Sequence, residues 1–116
     1  MIMKIDGYSL LLPEGTLDYF DVINVVEDSA QILIYLEEKN LVPDEYKDKD
    51  TEIKGFYDPV LVRDFPIRGR EVFLNVHRRR WIVKSDGQYI SRNWHMVASG
   101  TSMTREFASF LKEICI

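Results

Sequence analysis

The chain has 116 residues, a formal net charge of −4 and one cysteine. That length fits a single domain, and 46% hydrophobic residues argue against wholesale disorder. No apolar run reaches the roughly 18 residues of a membrane span, and the lone Cys115 excludes an intrachain disulfide.

Met1 to Asp6 has no basic region, long apolar stretch or small-residue cleavage site, so no signal peptide is expected and the cytoplasm is the expected location. Gly15 to Phe20 suits one helical turn with Thr16 as N-cap. Asp21 to Tyr35 reads as a hairpin. Val22, Ile23, Val25 and Val26 are β-branched, as are Ile32 and Ile34, and Glu27-Asp28-Ser29-Ala30 supplies the turn. Its second strand runs from Gln31 to Leu36. Glu37 to Glu52 is charged and reads as a surface connector, with Pro43 placed to open a helical turn.

From Val60 onward the pattern predicts a three-stranded meander: Val60 to Phe65, Arg70 to Val83, and Gln88 to Met96. Ile67-Arg68-Gly69 fits a three-residue hairpin loop with Gly69 left-handed, and Asp86-Gly87 fits a two-residue turn. Met103 to Ile114 predicts a helix whose apolar stripe is Phe107, Phe110, Leu111 and Ile114. Too short to be stable alone, it is expected to pack on the sheet with Val72, Leu74 and Val76. The expected fold class is α+β, a single domain over 1–116. An acidic hairpin region with its connector occupies 1–52, and the basic meander plus the C-terminal helix occupies 53–116.

The net charge conceals a division. Residues 1–59 carry 14 acidic and 5 basic residues, a balance of −9; residues 60–116 carry 10 basic and 5 acidic, a balance of +5. Eight of those ten C-terminal cations are Arg, the side chain suited to bidentate phosphate contacts. Such a division suits either a polyanion partner or two halves that attract each other.

With Asp86-Gly87 as the turn, positions summing to 173 face each other. Trp81 then opposes Arg92, and Arg79 opposes Trp94. Alternation puts Arg79, Trp81, Val83, Ile90, Arg92 and Trp94 on one face, each Arg within cation–π reach of a Trp. The other face collects Arg78, Arg80, Lys84, Tyr89, Ser91, Asn93 and His95. That row of donors can track a phosphate backbone. Alternatively, Arg78 and Arg80 are solvated or pair with the acidic half.

No catalytic constellation stands out. There is no G-x-x-x-x-G-K-[ST], no G-x-G-x-x-G and no nucleophile elbow. His77, His95 and Cys115 match no zinc spacing. Neither metal nor cofactor is expected. Glu37-Glu38 reads as part of a solvated charged surface.

The stretch Lys54 to Trp81, above all Arg63-Asp64-Phe65-Pro66-Ile67-Arg68-Gly69-Arg70 and the strand ending in Arg78-Arg79-Arg80-Trp81, resembles the N-terminal region of a class of bacterial insertion-sequence transposases. Gly15 to Phe20 and Met103 to Leu111 look like flanking pieces of a subfamily in which this region is a separate short frame. The resemblance implies a zinc-ribbon-like β module that binds the element's terminal repeats or helps place a catalytic subunit. The wider class has zinc-binding cysteines directly after the Arg-Arg-aromatic motif. Here that place is Ile82-Val83-Lys84-Ser85-Asp86-Gly87, so no zinc is expected. The expected function is non-catalytic binding of double-stranded DNA through Arg63, Arg68, Arg70, Arg78, Arg80 and Lys84. The alternative is an interaction subunit that docks on a catalytic transposase or self-associates.

Overall fold

The computed structural model describes residues 12, 13, 15–94, 110 and 112. In chain order these form α1 (Thr16–Tyr19), β1 (Phe20–Glu27), β2 (Gln31–Glu38), a 3-10 turn (Asp44–Tyr46), β3 (Thr51–Phe56), β4 (Val60–Ile67), β5 (Arg70–His77), β6 (Arg79–Val83) and β7 (Gln88–Ile90). A four-stranded sheet has the order β1-β2-β5-β4 and a three-stranded sheet the order β3-β6-β7.

The expected N-terminal hairpin is β1–β2. Asp28 closes it: its carboxylate accepts the Ala30 and Gln31 N–H groups at 2.7 and 2.9 Å. Those bonds to the charged form hold the Asp28 carboxyl below its ordinary pKa. The expected turn at Gly15–Phe20 is α1, but Thr16 is not its cap. Gly15 takes that place, and the buried Thr16 hydroxyl donates to the Pro13 carbonyl at 2.7 Å.

The α+β expectation fails. More than half of the described residues are strand, and the α-helix whose full range is described, Thr16–Tyr19, is a single turn. Of the expected C-terminal helix only Phe110 and Lys112 lie among the described residues. Phe110 is buried in the same cluster as Val72, Leu74 and Val76. The single meander fails too. The chain from Thr51 to Val83 is one long antiparallel ribbon bent in the middle. β4 pairs β5 beyond the bend, and β3 pairs β6 before it. The two halves belong to different sheets. The bend lies at residues 57–59 on one strand and Arg78 on the other, tied by a Tyr57 N–H···O=C Arg78 bond of 2.9 Å. Pro59 has no N–H to give the ladder, so regular pairing stops there.

The ribbon tip is a two-residue turn rather than the expected three. Ile67 pairs with Arg70, and both Arg68 (φ 49°) and Gly69 (φ 81°) are left-handed. Two positive φ values match the twist of a hairpin. At the other end, β6 and β7 are joined by four residues. Trp81 therefore faces Ile90, and Val83 faces Gln88, so paired positions sum to 171. The shift of two preserves which face each side chain occupies. It removes the expected Arg–Trp oppositions.

Alternation now places the core. Across the large sheet the inner rows run Val25-Ile34-Leu74-Val62 and Val22-Leu36-Val76-Val60. Phe20 and Trp94 stack at 5.3 Å to close one end, with Phe110 edge-on to Phe20. A second, smaller core holds Trp81, Val83 and Ile90 under Val42 and Tyr46. The Trp81 indole N–H donates to the Asn40 side-chain oxygen at 2.8 Å.

Candidate functional site

The six arginines and lysines expected to bind DNA divide into two groups. Arg63, Arg68 and Arg70 lie on or beside the ribbon tip in the large sheet. Arg78, Arg80 and Lys84 lie on or beside the small sheet. Three of the six are paired within the chain. Arg63 pairs with Glu71 across the hairpin. Arg70 pairs with Glu27 at 3.2 Å, and Lys84 with Asp50 at 3.8 Å. Through Glu27 and Asp50 the acidic half thus neutralises part of the basic half, one of the two outcomes its charge allowed, whereas Glu71 belongs to the basic half itself. Arg68 stands at the tip.

Arg78 and Arg80 differ. Neither has an ion pair among the described residues. Both guanidinium groups lie near the ring of Tyr57, at 5.2 and 5.5 Å. Arg80 also lies 5.1 Å from the ring of Tyr89. Arg80 is held further by a 3.3 Å bond from its Nε to the Lys54 carbonyl. The result is a ladder of alternating cations and rings, Arg78-Tyr57-Arg80-Tyr89, on the outward face of the small sheet. The sequence placed Arg78, Arg80 and Tyr89 on one face. It gave no sign of Tyr57, because the ribbon bend that brings Tyr57 beside Arg78 is invisible to local alternation. His95, expected on the same face, lies outside the described residues.

Between Arg78 and Arg80, Arg79 points the other way, toward Glu38. This carboxylate is 2% exposed. Its Oε1 accepts the Arg79 backbone N–H at 2.8 Å, and Arg79 Nε donates to the Glu38 carbonyl at 3.0 Å. Arg92 Nε stands 3.6 Å from Glu38 Oε2, too far for a hydrogen bond. Burial pushes the Glu38 pKa up to about 7, against the pull of the Arg79 N–H and the Arg92, Arg79 and Arg78 charges. The solvated reading of Glu38 is therefore wrong. The signal was present: Ile32, Ile34, Leu36 and Glu38 share parity, and β2 runs two residues further than expected.

Arg92 lies over the rings of Tyr19 and Trp94, at 5.0 and 5.9 Å, and donates to the Leu41 carbonyl at 2.6 Å. It forms one wall of an open hollow of about 480 Å³ shared with Tyr19, Asn40, Tyr46, Lys47 and Lys49. Lys47 there is paired with Asp44 at 2.7 Å. Among the described residues no helix is long and apolar enough to cross a membrane.

No family model matches this chain, and no curated protein or solved structure is detectably similar to it.

Proposed function

We propose that the chain is a non-catalytic, transposase-type N-terminal module that binds DNA through the outward face of its small sheet. The observation that carries this reading is the pair Arg78 and Arg80. Their guanidinium groups lie against aromatic rings and make no ion pair among the described residues. Guanidinium held this way keeps its charge and most of its N–H donors for phosphate. The stretch that resembles transposase N-terminal regions, Lys54 to Trp81, is also the stretch that builds the bent ribbon and this face. Arg68 at the ribbon tip adds a third cation; Arg63, Arg70 and Lys84 contribute less because each already has a partner.

Fluorescence anisotropy with a labelled duplex at several salt concentrations tests the reading. Three phosphate contacts predict a log–log slope of about −3. Arg78→Ala with Arg80→Ala should reduce that slope to about −1 and leave the circular dichroism unchanged. An unchanged affinity in the double variant would sink the proposal.

One observation favours a second reading, an interaction subunit. The outer rows of the large sheet are Val26-Leu33-Phe73-Arg63 and Asn24-Tyr35-Asn75-Leu61. Val26 is 52% exposed and Leu61 60% exposed. Exposed apolar side chains at both edges of one sheet face suit a docking surface. Light scattering across a concentration series distinguishes self-association from a monomer.

A further inference from the structure

We propose that the Arg78-Tyr57-Arg80-Tyr89 ladder takes an unpaired DNA strand in preference to a duplex, with a base stacked on Tyr89. This rests on the DNA-binding reading above. Phosphate binding alone requires cations, not rings. Tyr57 explains itself as a support, since it is half-buried and lies beside both arginines. Tyr89 does not. It sits on the edge strand β7, meets Arg80 at 5.1 Å, and remains 55% exposed. A tyrosine held for support alone has no need of so much open ring.

At the opposite edge strand, β3, Glu52 and Lys54 share the outward parity and offset each other, with Glu52 paired in register with Ile82, which pairs in turn with Tyr89. A nucleic-acid backbone would follow the net positive line of Arg78 and Arg80, with Tyr89 within a base's reach of it on β7. In a duplex each base face is covered by its neighbours. Only an unpaired base offers a ring face to Tyr89. Base–aromatic stacking of this kind tolerates any sequence. The hollow beside Arg92 offers nothing comparable, because Lys47 is paired with Asp44 and Arg92 faces Glu38.

The test is anisotropy of the full chain with a labelled 20-nucleotide DNA strand, alone and annealed to its complement, at low salt. The single strand is expected to bind about fivefold tighter or more. Tyr89→Ala should weaken the single strand about tenfold and the duplex less than about twofold. Tyr89→Phe, which keeps the ring, should bind as the natural chain does. A duplex bound as tightly as the strand, or an equal loss on both from Tyr89→Ala, overturns the stacking inference and leaves the DNA reading standing. Absence of binding to either probe overturns both.

Discussion

Glu38 is the residue on which pH acts most directly. Its folded pKa of about 7 lies above the ordinary 4.5, so the folded chain holds a proton that the unfolded chain has released. Stability is then fully present below about pH 4.5 and falls as pH rises through 7, by about 3 kcal/mol in all. Urea titrations at pH 5 and pH 8 should show this loss, and Glu38→Gln should abolish most of it while preserving an acceptor for the Arg79 N–H. A stability that rises over that range would contradict the burial argument. Arg68 and Gly69 supply a second residue-scale expectation. Gly69 has open space around its Cα, so Gly69→Ala incurs only backbone strain, about 1–2 kcal/mol. Arg68→Asn, which suits the same left-handed turn, should raise the denaturation midpoint instead. Glu38 also marks where sequence reading stopped short. Its parity with Leu36 was legible, yet the charge of its neighbours hid it.

Elements were legible where a turn lay next to alternating β-branched residues. The hairpin β1–β2, the tip at Gly69 and the Pro43 turn all follow from local chemistry. β3 was not legible, because Thr51 to Phe56 carries two charges and a glycine and its partner β6 lies far along the chain. The β6–β7 register shifted because four residues, not two, close that loop, with the Gly87 N–H bonded to the Val83 carbonyl at 2.8 Å. The small sheet is anchored by Trp81. Trp81→Ala should cost about 3–5 kcal/mol by removing most of its core. Asn40→Ala should cost about 1–3 kcal/mol by leaving the buried indole N–H without its acceptor. Chemical denaturation measures both, and the order of the two losses is the part to check.

At the scale of the molecule, the two sheets share one ribbon, so their cores should melt together. Trp81 reports the small core and Trp94 the large one. Their combined fluorescence should trace a single transition that overlays the far-ultraviolet circular dichroism; a two-step curve would mean that the bend uncouples the sheets. This continuity could not be read from local patterns, because it depends on pairings across the bend. The large sheet carries one more consequence, in time rather than in space. Its central seam, β2 against β5, is parallel and joins residues 40 positions apart, from Gln31 with Glu71 to Glu37 with His77. Each flanking hairpin closes on its own turn and forms within about 1–10 μs. The seam must close a far longer loop, so the slow event is the docking of two hairpins already made. Leu74→Val at the seam should therefore slow folding more than Gly69→Ala at the tip does.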